Sequence, residues 1–133
     1  MKSVKDLDVY KIAFQLTVDI YRVTESFPRT EQFGLVSQMR RAAVSICSNL
    51  VEGCSRGTVS EYKHFVLIAK GSAAELECQI ELAHAIGFIE STTAKHLVSA
   101  TQHIVKMLSG LKRALGDNQP TTNNLQPTTS DQE

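Results

Sequence analysis

RRAAVSICSNLVEG, residues 40 to 53, is the stretch whose reading decides the fold. Ala42, Ile46, Asn49 and Gly53 recur at alternating spacings of four and three, which predicts a helix. Extended backwards, Leu35 and Met39 join the same row. At 100° per residue, Gln38, Arg41, Ser45, Asn49, Glu52 and Arg56 fall in a polar sector roughly 80° wide. The remaining circumference is apolar: Leu35, Val36, Met39, Ala42, Ala43, Ile46, Leu50 and Cys54, continuing through Cys47 to Val51 and Val44, with Arg40 interrupting. That arc spans roughly 200°, against the ~100° stripe that a single core requires. The surplus predicts a second apolar partner. Self-association through Arg40, Val44, Cys47 and Val51 is the simplest, because monomers rarely expose a large apolar patch; the alternative is that the valines only edge the core. For the polar sector the reading is an inter-helix hydrogen-bond network, because buried polar groups must be paired. In that network Arg41 and Arg56 bridge to Glu52, Glu61 or Glu75, and a ligand groove is the alternative.

Three more helices follow from the same periodicity. Leu7, Tyr10, Phe14, Thr17, Tyr21 and Thr24 form a row that Phe27-Pro28 ends, since proline disfavours helix in the residue before it. Thr30 is the expected N-cap of the helix quoted first, with Glu31 in its first turn. GCSRGT (53 to 58) breaks that helix with two glycines, and Thr58 or Ser60 caps the next. There Tyr62, Phe65, Ala69, Ser72, Leu76, Gln79, Ala83 and Ile86 run unbroken to Gly87, a C-terminal glycine. Ser91 or Thr92 opens the last helix, which carries Leu97, Thr101, Ile104, Leu108, Leu111 and Leu115 and ends at Gly116. No alternating strand pattern occurs. The fold expected is all-α, an antiparallel up-down-up-down four-helix bundle over residues 1–116. Residues 117–133, DNQPTTNNLQPTTSDQE, hold one large apolar side chain and are expected to be a disordered polar tail.

The 133 residues balance 14 basic against 14 acidic side chains, and 42% are hydrophobic. That supports one domain with a real core and excludes a strongly electropositive nucleic-acid binder. No run approaches the ~18 uncharged apolar residues of a membrane span. Asp6 and Asp8 stand where a signal peptide would have its apolar run, so a cytoplasmic location is expected. The three cysteines read as reduced, mostly buried thiols. Gly71 sits inside a heptad row, at a cost of ~1 kcal/mol relative to alanine. Close approach of another backbone is the expected compensation.

Catalytic and metal chemistry find little support. Glu61-Tyr-Lys-His64 and Glu81-Leu-Ala-His84 match the Glu-x-x-His of di-iron bundles, but they share one helix and lie roughly 30 Å apart. His96 and His103 are again two turns apart, so neither a metal nor another cofactor is expected. There is no phosphate loop and no nucleophile–base arrangement, so the chain is read as a non-enzyme. An enzyme built on Glu52, Arg56, Glu61 and His64 would need those groups to converge on a pocket. Basic residues concentrate where the start of the third helix meets the end of the fourth. Lys63, Lys70, Lys106, Lys112 and Arg113 there are candidates for phosphate contact without sequence readout.

From Phe27 to Glu77 the residues become recognisable. Phe27-Pro28, Glu31, Gly34-Leu35, Gln38, Arg40 to Ala43, Ser45-Ile46, Asn49, Glu52-Gly53, Arg56, Glu61, Phe65, Ala69, Gly71-Ser72 and Glu75-Leu76 carry the pattern. The chain closely resembles, over roughly residues 5 to 115, the four-helix-bundle proteins encoded within intervening sequences of bacterial 23S ribosomal RNA genes. It departs at Cys47, where that pattern often has proline. The resemblance implies a homopentameric barrel of up-down bundles and kinship with the accessory (Avd) proteins of diversity-generating retroelements, which bind nucleic acid and a reverse transcriptase. It implies no established activity for this branch. The chain is therefore expected to partner itself, with RNA or DNA, a reverse transcriptase or another protein as further partners, and to act as a scaffold or adaptor.

Overall fold

The structure, a computed structural model, describes residues 3–116. The tail expected over 117–133 lies outside the described residues. Four helices account for the fold: α1 (Asp8–Thr24), α2 (Leu35–Ser55), α3 (Val59–Ile86) and α4 (Ser91–Gly116), with single 3-10 turns at Val4–Asp6 and Arg29–Glu31. No strand occurs among the described residues. Helix α2 is continuous through Cys47, the position at which the family pattern often has proline.

The helix ends follow from local chemistry. The Thr58 hydroxyl accepts the Glu61 amide at 3.2 Å and donates to the Glu61 carboxylate at 3.0 Å, which fixes the start of α3. Gly57 precedes it at φ 93°, a left-handed turn that favours glycine. Gly87 closes α3 at φ 103°, and the Gly87 and Phe88 amides return to the Ala83 carbonyl. The expected start of α2 at Thr30 is corrected. Thr30 belongs to the preceding 3-10 turn, and α2 begins at Leu35. The reason is Glu31, whose Oε1 reaches forward to accept the Leu35 amide at 3.2 Å. It satisfies one of the orphan donors from outside the helix.

Each helix packs on two neighbours, α1 on α2 and α4, and α3 on α2 and α4, so α1 and α3 are diagonal. Partners run in opposite senses at the contacts. Thr17 meets Ala43 and Cys47, whereas Thr24 meets Arg40. Ser45 meets Ser72, whereas Cys54 meets Tyr62. The core is aliphatic: Leu16, Ile20, Met39, Ile46, Leu50, Val66, Leu76, Ile80, Leu97, Ile104 and Leu108 are buried. Phe27 and Phe88, ring centroids 5.2 Å apart, close one end. Fully burying each large aliphatic contributes about 1.5–3 kcal/mol, so this interior suffices to hold the four elements together.

The row expected to face inward on α1 is corrected. Val9, Ala13, Leu16, Ile20 and Thr24 are the buried residues, while Phe14 and Tyr21 are exposed. Helix α1 carries two adjacent apolar rows, and the slimmer aliphatic one fits the narrow interior. The close approach expected at Gly71 is absent among the described residues, since a Cβ added there would meet nothing within 4 Å. Gly53, by contrast, is crowded by the facing helix. Its Cβ would lie 3.0 Å from Phe65 Cβ and 3.1 Å from Tyr62 Cδ1.

Candidate functional site

The polar sector of α2 resolves into two groups. In the middle of the helix, Asn49 Nδ2 donates to the Ser45 carbonyl at 2.8 Å and to Ser45 Oγ at 2.9 Å. Ser45 Oγ and Ser72 Oγ are 2.8 Å apart, which ties α2 to α3. At the end of α2, Arg56 pairs with Glu52 at 3.0 Å and with Glu61 at 3.8 Å. Its guanidinium lies 4.9 Å from the Phe65 ring centre. These ion pairs are nearly half exposed, a setting in which each contributes ~0–1 kcal/mol. Gln38, Arg41 and Glu75 stand outside both groups. Glu61 is committed to the α3 cap and Glu52 to Arg56, so the carboxylates do not face a shared cavity.

The residues expected at an oligomer interface lie along one side of the bundle, with one exception. Val44 (39% exposed) and Val51 (43%) project from α2 on the side facing α1. Beside them α1 contributes Phe14 (55%), its ring tilted 46° to that of Tyr10 with centroids 6.1 Å apart, and Tyr21. Thr17 lies at the floor, donating to the Ala13 carbonyl at 2.8 Å and sitting 3.2 Å from that of Ala43. Cys47 is half-buried beside it, its sulfur 3.8 Å from the Thr17 hydroxyl. Burial pushes the Cys47 thiol pKa up, against a smaller lowering by Thr17, so this thiol is a poor nucleophile. Arg40, the exception, is an internal strut. Its Nε donates to Thr24 Oγ1 at 2.9 Å, one Nη donates to the Tyr21 carbonyl at 3.1 Å, and its guanidinium lies 4.5 Å from the Tyr21 ring centre. It holds the last turn of α1, where a cation meets the negative end of the helix dipole.

The periodicity did not reveal a second uncovered face, on α3. Leu67, Ile68, Leu82 and Ile86 are exposed there, as is Cys78, which corrects the expectation of mostly buried thiols. The sequence signal for it is broken: Leu67, Gly71, Ala74 and Cys78 keep heptad spacing, but Glu81 takes the next place in that row and Glu75 lies beside Leu82. Phe33, in the α1–α2 connection, is 91% exposed.

The basic residues converge only in part. Lys63 lies against Gly116, so the start of α3 and the end of α4 do meet. Lys63 and Lys70 are two turns apart on one α3 row, and Lys106 and Arg113 are related in the same way on α4. Lys106 lines a groove of about 670 Å³ between the two helices, together with Ala74, Glu77, Ser99, Gln102, His103 and Val105. Lys112 is turned about 100° from Arg113. A smaller groove of about 330 Å³ holds Glu81, His84 and Lys95. There His84 Nδ1 is 2.9 Å from the Ile89 carbonyl, which makes it the protonated nitrogen. Among the described residues, no three His, Cys, Asp or Glu side chains are grouped to hold a metal, and no helix is long and apolar enough to cross a membrane.

Comparison with known proteins agrees with this architecture. A family model described as 23S rRNA-intervening sequence protein matches residues 5–110. A crystal structure of a protein of unknown function from the S23 ribosomal protein family of Bacteroides thetaiotaomicron superposes with a TM-score of 0.71. It is 20% identical, over 79% of this chain and 98% of that one. No curated protein matches the chain.

Proposed function

The chain belongs to the 23S rRNA-intervening sequence protein family, and from that premise we propose that it is a non-enzymatic adaptor that acts as a homo-oligomer, a pentamer by its resemblance to the family's barrels. The observation that carries this reading is the uncovered apolar side of α1 and α2: Phe14, Tyr21, Val44 and Val51 around the half-buried Cys47. Water contact there is unfavourable by about 25 cal/mol per Å² of apolar surface, and a repeated copy of the chain removes it. The non-enzymatic part is supported by the carboxylates, which are committed to a cap and an ion pair. The cytoplasm is the compartment proposed, in keeping with three free thiols.

Sedimentation equilibrium tests the assembly. The native chain is expected at several times its 14.7 kDa, and the V44E/V51E double variant at the monomer mass with its helix content intact. A native chain that sediments as single copies would overturn the reading.

A second reading, nucleic-acid binding of the kind found in the related accessory proteins, is favoured by one observation. Lys63, at the start of α3, lies against Gly116 at the end of α4, the helix that also carries Lys106, Lys112 and Arg113. Rotational symmetry would repeat that patch around an assembly and raise its avidity. Filter binding of RNA and of DNA at ~50 mM salt, where phosphate contacts are strongest, decides it. Retention that falls steeply by 200 mM supports binding, and no retention at the lower salt ends the proposal.

A further inference from the structure

A cavity of about 280 Å³ opens at the end of the bundle where α1 turns into α2. Arg40 and Arg29 line it with Gln32 and Glu25 and, as apolar wall, Phe27 and Val36. Arg40 is held there by one edge only. Its Nε donates to Thr24 Oγ1 at 2.9 Å, its Nη2 donates to the Tyr21 carbonyl at 3.1 Å, and its guanidinium lies 4.5 Å from the Tyr21 ring centre. The Thr24 hydroxyl donates in turn to the Ile20 carbonyl at 2.7 Å, so its oxygen is fixed as the acceptor. These contacts use two of the five N–H donors of a guanidinium, and the outer edge between Nη1 and Nη2 keeps the other three. Among the described residues no carboxylate lies within ion-pair distance of Arg40 or of Arg29. A primary amide would suffice to satisfy the last turn of α1. A half-buried guanidinium, fixed in orientation and without a counter-ion, is a fork already set for an oxyanion.

The lining selects among oxyanions. Two cations face one carboxylate, that of Glu25, so the cavity has a surplus of positive charge. A phosphate monoester carries about −1.5 to −2 at neutral pH and gains from both arginines. Of its three terminal oxygens, two match the fork of Arg40 and one is left for Arg29. A carboxylate has no third oxygen to offer. The volume is close to the ~300 Å³ lower end of small-molecule sites, which admits a short organic group against Phe27 and Val36. We propose that this cavity binds a phosphate monoester, with the phosphate on the outer edge of Arg40 and on Arg29 and the organic part against the apolar wall. The monoester is a free small molecule or the terminal phosphate of a nucleic acid, which present the same group. Arg40 lies roughly 20 Å along α2 from Cys54, which meets Tyr62, the neighbour of Lys63. Phe14, Val44 and Val51 do not line the cavity. The site is therefore separate both from the basic residues of α3 and α4 and from the apolar α1–α2 side.

The test is an NMR titration of the isotope-labelled full chain with inorganic phosphate, glycerol 3-phosphate, glycerate, and a dinucleotide with and without a 5′-phosphate. Glycerol 3-phosphate is expected to give saturable shifts at the Arg40 Nε–H and at the Gln32 and Val36 amides, with a lower Kd than inorganic phosphate or glycerate. R40K keeps the charge but loses the fork, and should weaken binding about tenfold. Because R40K also disturbs the end of α1, the exposed Arg29 and Glu25 carry the decisive comparison. R29Q should weaken binding about threefold, and E25Q should tighten it about twofold. A folding defect would not move affinity in both directions. A 5′-phosphorylated dinucleotide that binds at least as tightly as glycerol 3-phosphate, with no binding of its 5′-hydroxyl form, assigns the site to a nucleic-acid end; weaker binding of that dinucleotide assigns it to a free small molecule. Three results overturn the proposal: shifts confined to the Lys63 and Arg113 end, glycerate binding as tightly as glycerol 3-phosphate, or one affinity shared by the native chain, R29Q and E25Q.

Discussion

Gly53 and Gly71 are both helical, yet substitution should act on them in opposite directions. At Gly53 a methyl group would press on Phe65 Cβ and Tyr62 Cδ1, and neither atom is the free end of a flexible chain. G53A is expected to lose about 1–2 kcal/mol, strain of about 1–3 offset in part by helix propensity, read as a lower urea midpoint. At Gly71 nothing among the described residues opposes the methyl, so G71A should stabilise the chain by about 0.5–1 kcal/mol. Tyr62 sets an alkaline limit. Burial, then the Cys54 hydrogen bond and the repulsion between the two ionised groups, raise its pKa well above the ordinary value. Folding therefore holds the proton more tightly than the unfolded chain does. The stabilisation is complete below pH ~10 and declines as pH rises further, because the unfolded tyrosine ionises first. The raised Cys47 thiol adds a decline of the same sign beginning above pH ~8.5. Y62F should show a shallower fall in urea midpoint between pH 9.5 and 11 than the native chain.

At the level of elements, α3 depends on its ends and on one internal mismatch. T58A removes the hydroxyl that accepts the Glu61 amide and should cost about 1 kcal/mol, with faster hydrogen exchange in the first turn of α3 than in its middle. Gln79 is buried, and its Oε1 has no hydrogen-bond partner among the described residues. Q79M keeps the volume, removes the unsatisfied oxygen and should raise stability by about 1 kcal/mol. Element type and order were legible because the middles of the 3-4 rows of α2, α3 and α4 coincide with what is buried, although Ile86, at the end of the α3 row, is exposed. The facing row of α1 was not, because Phe14 and Leu16 are equally hydrophobic and only the width of the interior separates them. The start of α2 was missed for a comparable reason. Capping rules favour Thr30, whereas the carboxylate of Glu31 reaches Leu35 from the turn before.

For the molecule as a whole, the α2 sequence announced surplus apolar surface correctly but placed it incompletely. Val44 and Val51 do project outward, while Phe14, Tyr21 and the outer α3 face, which widen that surface, belong to other helices. Which residues share a groove depends on how the helices are rotated against one another, and periodicity within one helix does not carry that. The basic cluster shows the same division. Antiparallel order could be inferred from short connections, and the ~100° between Lys112 and Arg113 from helix geometry, but the approach of Lys63 to Gly116 needed both helices in place.

Phe33 has an experimental use that follows from its 91% exposure. The chain contains no tryptophan, so F33W would install a single indole fluorophore in nearly pure solvent at one tip of the bundle. Its emission should sit at the red limit in the free protein and be quenched freely by iodide. A blue shift on titrating any binding molecule would then report, without a label, that the molecule shields this tip and not the flanks.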